Sequence, residues 1–330
     1  MGEREKKDDM ESKAIAIGYL LKVPAGNVNA SHTEGNVIIA KKVTLPNGST
    51  LPYISGQALR RALRDRLEGL GWSLSEPFCE PKGQEVIPPV RPWEFIDEDL
   101  FGYLDTSGNR RRTSPVRVSP AVGLFPYRGD RDLGTRSFEK FSQPFHAGGN
   151  LFETEIYRNL FHGAILIELD RVGRFEPLEL GSEEGREVSK EERYRRLAAL
   201  LEALKLLWGG GRTARLLADL SPKFIAYARL RVKYPLFLDA LSVGYDGSCD
   251  KPLLELAPLK GALNRVESYL ERLIFGIEPG FFADEAQTST DLRELKVNGV
   301  KAEVLNVSEA IDRAKEDLKG VWAIGAESRS

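Results

Sequence analysis

The sequence predicts an α+β fold, and three observations carry that expectation. An alternating apolar run occupies residues 14–23, two amphipathic helical stretches begin at Ser55 and Ser189, and extended segments lie between and after them. Of the 330 residues 42% are hydrophobic, enough to bury a sizeable core in two modest domains or one elaborated domain.

Mean hydropathy is −0.31 and no apolar run approaches ~20 residues, so a membrane span and membrane partners are not expected. Residues 1–12 (MGEREKKDDMES) lack the apolar stretch of a secretory signal and read as a charged, disordered tail. Cys79 and Cys249 cannot form a disulfide framework or, by themselves, a four-ligand zinc site. A reduced, cytoplasmic protein without metal or cofactor is the expectation.

In AIAIGYLLKV, Ile15, Ile17, Tyr19, Leu21 and Val23 share one face at strand periodicity. The loop PAGNVNASHTEGN leads to VIIAKKV, a second extended segment, and Asn47-Gly48 marks a tight turn. Ser55 then caps a helix whose apolar stripe is Leu59, Ala62, Leu63, Leu67 and Leu70. Arg60, Arg61 and Arg64 fall within about 100° of arc on its opposite face. Residues 71–110, rich in Pro and Gly, read as an irregular insertion. The runs SPVRVSPAVGLFPYRG and ETEIYRNLFHGAILIELDRV flank a polar, aromatic tip, which predicts a long hairpin or a loop projecting from a sheet. Ser189 and Glu192 predict a capping box, followed by a stripe of Leu197, Leu200, Leu201, Leu204 and Leu207 that ends at Gly209-Gly210-Gly211. FIAYARLRVKYPL is a strand with Tyr227, Arg229, Arg231 and Lys233 on one face. One helix near 258–275 and an amphipathic helix near 308–319 complete the chain. The order strand, helix, hairpin, helix, strand fits a ferredoxin-like core with large inserts.

Net charge is −2, yet segments 60–66, 110–136 and 212–233 carry +3, +5 and +5, which leaves −15 for the remainder. Arginine supplies most of the positive charge, and its planar fork suits phosphate. Four motifs follow. Ser55, Gly56 and Gln57 open a helix with Arg60, Arg61 and Arg64 behind them, a site for phosphate at free backbone N–H groups or a plain cap with solvated arginines. Gly209, Gly210, Gly211, Arg212 and Arg215 follow a helix rather than a strand, so the match to a dinucleotide fingerprint is spurious; a flexible basic loop for nucleic-acid phosphates fits better. The Tyr227, Arg229, Arg231, Lys233 comb suits either an open RNA-reading sheet face or ordinary solvent exposure. Around the hairpin tip, Phe125, Tyr127, Phe138, Phe141 and Phe145 stand among Arg128, Arg131, Arg136 and Lys140, where they would stack on or wedge between bases, form a satellite core or offer a docking face to another protein. With three histidines and no H-E-x-x-H, G-x-S-x-G or Cys-His cluster, catalysis has little support; His32 beside Asn27, Asn29 and Glu34 is the one group with acid–base potential.

These pieces together resemble the backbone subunit of type I CRISPR interference complexes (Cascade), in the RAMP superfamily and of the DevR or archaeal type. The matching residues run in order through most of 14–233: the first strand and its loop, PYISGQALRRAL, RRTSPVRVSPAVGLFPYRGD, EIYRNLFHGAILIELD and GGGRTARLLADLSPKF. The resemblance implies a modified RRM palm over 13–288 with a finger-like insert at 71–110, a thumb hairpin at 122–160 and a C-terminal appendix at 289–330. It implies that Asn27, Asn29, His32, Ser55, Gly56, Gln57, Arg60, Arg117 and the Gly209–Arg215 loop contact the guide backbone. Copies would wind along one CRISPR RNA as a helical homo-oligomer, beside other Cascade subunits, and present the guide to target DNA by base pairing. Related type III subunits cut target RNA with an aspartate in the loop after the first strand; no Asp occurs between Val23 and Ser55, so a non-cleaving subunit is implied. An RNA-cleaving enzyme on the same fold, using His32 and Glu34, and a regulator or scaffold without nucleic acid are the other classes open to this sequence.

Overall fold

The computed structural model describes residues 12–76, 78–79, 86–136, 150–209, 216–245 and 251–324. The strands of its main sheet are β1 (Ala14–Gly26), β2 (Ala30–Glu34), β3 (Val37–Ala40), β4 (Lys42–Thr44), β5 (Thr50–Ile54), β6 (Val116–Val118), β7 (Ala121–Gly123), β8 (Gly129–Arg136), β9 (Asn150–Glu168), β10 (Phe224–Leu230), β11 (Leu270–Ile277) and β12 (Glu303–Leu305). They join one sheet ordered β12-β11-β10-β1-β9-β7-β5-β4, with β3, β6 and β8 also paired to β9 and β2 paired to β3. Its helices include α1 (Gly56–Gly69), α2 (Ile96–Phe101), α3 (Pro177–Leu180), α4 (Lys190–Lys205), α5 (Leu256–Arg265), α6 (Glu285–Arg293) and α7 (Val307–Val321). The expected α+β class holds. Along the chain the centre runs β1-α1-β6/β7-β9-α4-β10, and β10, β1, β9 and β7 lie side by side, each antiparallel to its neighbour. Among the described residues no helix is long and apolar enough to cross a membrane.

β1 is central because both of its faces are apolar. The odd residues Ile15, Ile17, Tyr19, Leu21 and Val23 pack with Leu59, Leu63 and Leu67 of α1, Leu197, Leu200, Leu201 and Leu204 of α4, and Ile311 and Leu318 of α7. Each such leucine, fully buried, contributes on the order of 1.5–3 kcal/mol. The even residues Ala16 and Leu20 face Phe237, Leu241, Leu259 and Leu263 in a second core. Gly18 permits this, since a Cβ there would lie 2.5 Å from that of Phe237.

The face expected to lie open and basic is instead covered by α7. Tyr227 is 2% exposed in the helix-side core, and its hydroxyl donates to Asp317 of α7 at 2.8 Å. Arg229 is held by Asp317 at 2.9 Å and Glu271 at 3.1 Å, and Arg231 donates to the Ser268 carbonyl. Residues 258–275 also differ from expectation: the helix stops at Arg265 and Leu270–Ile277 is a strand. The segment LERLIFGI is too short for periodicity to separate a buried strand from a helix. In the described part of 289–330, expected as an appendix, β12 pairs parallel with β11 and α7 packs on α4 and β11. The capping box at Ser189 is half formed: Ser189 Oγ accepts from Glu192 N at 3.1 Å, while the Glu192 carboxylate binds Arg195 and Arg196. Of residues 1–12, expected as a tail, 1–11 lie outside the described residues, and Ser12 donates to Glu271 and accepts from Arg229, both at 2.5 Å.

The insert 71–110 is more ordered than expected. It contains α2 and a hairpin pairing Tyr103–Asp105 with Arg110–Arg112. Asp99, fully buried, accepts from Arg112 at 2.7 Å, Arg196 of α4 at 2.8 Å and Gly173 N at 3.0 Å. Arg112 also meets Glu179 at 2.5 Å, and so one ionic network ties insert, α3 and α4 together. Truncating one partner of a buried pair strands the other's charge. Asp99→Ala should therefore cost about 3–5 kcal/mol in urea unfolding; a loss under about 1 kcal/mol would show that the network does not anchor the insert.

Candidate nucleic-acid interface

β1 ends in a bulge between Val23 and Gly26, where the register with β9 shifts. Bulges re-aim the chain that follows, and here the chain turns into Asn27, Val28 and Asn29. Asn29 is fixed from both sides: its side-chain oxygen accepts from Ser55 N at 2.8 Å, and its carbonyl accepts from Lys41 N at 2.9 Å. The β1–β2 loop is thus bound to the start of α1. Asn27 is 2% exposed, and neither its side-chain oxygen nor its nitrogen has a hydrogen-bond partner among the described residues.

Ser55 caps α1 as expected, its hydroxyl accepting from Ala58 N at 3.3 Å. Gly56 has a packing reason to be glycine, because a Cβ there would stand 2.5 Å from the Val118 carbonyl oxygen. Gln57 is exposed. The arginines behind them divide. Arg60 donates to the Phe101 carbonyl and lies over the Phe101 ring, and burial first and the Arg64 charge second hold it below the ordinary arginine pKa. Arg64 also lies over Phe101 and faces Asp97 at 3.5 Å. Arg61, 77% exposed, is paired with Asp65 across one turn. So the expected row of three phosphate-binding arginines reduces to one that projects into solvent; the other two brace α1 against α2.

A cleft of about 430 Å³ gathers what the sequence keeps apart. Its walls include Asn29 from the β1–β2 loop, Arg61, Asp65 and Arg66 from α1, and Trp208 and Gly209 from the segment after α4. Gly209 holds φ +138°, a backbone that favours glycine, at the root of the glycine-arginine loop. Gly210, Gly211, Arg212 and Arg215 lie outside the described residues. The signal missed in the sequence is Trp208 with Arg66, whose guanidinium sits 4.0 Å from the ring centroid. An aromatic just ahead of a glycine run was the available cue.

Other expected residues lie elsewhere. His32 is 59% exposed and pairs with Glu34 at 2.9 Å, away from the cleft wall. Arg117 lines a separate groove of about 570 Å³ with Lys233 and binds Glu168. Burial works to raise the Glu168 carboxyl, but Lys233, Arg117 and Arg171 outweigh it and bring its pKa below the usual value. On the hairpin, Arg128 is exposed and Arg131 pairs with Glu153 at 3.2 Å. The Arg136 side chain and Phe138, Lys140, Phe141 and Phe145 lie outside the described residues. Phe125 and Tyr127, expected as displayed aromatics, are packed: Phe125 meets Tyr245 at 4.8 Å, and Tyr127 stands edge-on to Tyr157 beneath the Lys42 ammonium. Burial and Glu155 push the Tyr127 hydroxyl up to about 12.

Residues 93–245 match the family model described as CRISPR-associated negative auto-regulator DevR/Csa2. Two solved structures share the fold. A chain of "CRISPR RNA-guided surveillance complex, pre-nicking" is 13% identical with a TM-score of 0.57, covering 92% of this chain and 100% of its own. A chain of "CRISPR RNA-guided surveillance complex" is 16% identical with a TM-score of 0.56, covering 92% and 99%. No curated protein matches the sequence. Both comparisons are thus with CRISPR-associated proteins, the class that the sequence motifs resemble.

Gly56→Ala should lower stability by about 1–3 kcal/mol in thermal unfolding by overpacking α1 against β6. Gln57→Ala, on the exposed next position, should stay within about 0.5 kcal/mol. Equal, small effects would contradict the close packing.

Proposed function

We propose that this chain is a non-catalytic RNA-binding subunit of a type I CRISPR interference complex. Several copies wind along one CRISPR RNA guide as a helical backbone, beside other Cascade subunits, and support recognition of target DNA through guide pairing, in the cytoplasm and without a cofactor. The observation that carries this reading is the convergence of Asn29, Arg61, Arg66 and Gly209, from three distant stretches of sequence, on one cleft. A cleft with guanidinium groups and a glycine backbone at its edge suits a phosphodiester strand. The β10-β1-β9-β7 order with α1 and α4 on one side supports a modified ferredoxin-like, RRM-like palm. On that reading β8 and the first half of β9 form the thumb, and the α2 region the finger-like insert.

The His32–Glu34 pair at 2.9 Å favours a second reading, a guide-dependent RNA endonuclease of type III kind. Metal-dependent cutting of guide-complementary RNA that is lost in His32→Ala would establish it. The family description as an auto-regulator leaves a third, a scaffold or regulator without nucleic acid; a stable monomer that purifies free of RNA would favour that role.

On the main reading, purified chain carries RNA of uniform length and binds single-stranded RNA in a salt-sensitive manner. Arg61→Ala should weaken binding and lower the slope of log affinity against log salt by about 0.7, the share of one phosphate contact on a single strand. A chain that ignores single-stranded RNA at low salt overturns the proposal.

A further inference from the structure

We infer that Trp208 is a base-stacking platform, so that the cleft takes an unpaired nucleobase as well as phosphate. This rests on the RNA-binding reading above and deepens it. The indole is 41% exposed and lines the cleft beside Asn29 and Arg61. A tryptophan this open leaves a large part of its apolar surface in water, and it is not part of either hydrophobic core.

One face of the indole carries a cation. The Arg66 guanidinium stands 4.0 Å from the ring centroid, and Arg66 Nε is buried without a hydrogen-bond partner among the described residues. A guanidinium held by a ring rather than by a carboxylate keeps its positive charge available to the cleft. The segment carrying the indole is fixed: Trp208 pairs with Asp219 and Gly209 with Ala218, and Leu220 N donates to the Leu207 carbonyl at 3.0 Å. Trp208 is therefore a positioned ring with a cation beneath it and a cleft beside it. A base is the occupant that matches these features together, since its π-face stacks on the indole while its phosphate meets Arg61. A duplex, whose bases are already stacked, could not use the platform.

The test uses the full chain and two probes of equal length, single-stranded oligouridine RNA and the same strand without bases. Trp72, Trp93 and Trp322 also fluoresce, so the Trp208 signal is the difference between the parent and Trp208→Phe. The RNA should quench that difference signal, and the abasic strand should not. Trp208→Ala should weaken RNA binding about tenfold while leaving abasic binding unchanged, and Trp208→Phe should restore most of the loss. If Trp208→Ala weakens both strands equally, or if parent chain binds RNA with no base-dependent quenching, the platform is refuted while the RNA-binding reading survives. Failure of the parent chain to bind either strand overturns both.

Discussion

The molecule depends on one backbone constraint, the unbroken pairing of Asn150–Glu168. This 19-residue strand meets β1 along its second half and β8 along its first, with β3, β6 and β7 adding further bonds. Its N–H and C=O groups are satisfied by partners on both sides for most of its length. The palm and the projecting hairpin are therefore parts of one ladder, and no hinge separates them. The described part of the hairpin joins the palm through that strand, with one register shift against β1 opposite residues 157–159.

The same strand sets the position of the cleft. Its register shift against β1 swings the chain into the Asn27–Asn29 turn, and Asn29 passes that position to α1 through Ser55. The helix is then pressed against β6 at Gly56, where no side chain fits. On the far side, α4 is held to the insert by Asp99 and delivers Trp208 and Gly209 to the opposite wall. Hydrophobic burial holds these elements on the sheet, and a few polar contacts fix their ends. Direction, not bulk affinity, is what those polar contacts supply.

Locally coded features were legible in the sequence. Alternation revealed β1, and Ser55 and Ser189 revealed the starts of α1 and α4, since capping depends on residues three apart. Arginine clustering misled. Arg112 and Arg196 are almost fully buried in the Asp99 network, and Arg229 is spent on Asp317 and Glu271. Asp99 and Arg196 are 97 positions apart, and no local pattern announces such a pair. The covered second face of the sheet was equally hidden, because it depends on Phe237 finding Gly18 across the fold. The cleft itself was half legible: its loop and helix were identified by motif, while Trp208 and Arg66 meet only through folding.

The central claim is that one strand of RNA runs along the cleft between the β1–β2 loop, α1 and the segment at Gly209. Ultraviolet crosslinking of bound RNA, followed by mass-spectrometric mapping of the attached peptides, tests it most directly. The account predicts crosslinks within residues 24–34, 55–66 and 208–209. Crosslinks confined to the Arg117–Lys233 groove or to the Arg229–Arg231 segment, with those three stretches bare, would contradict it.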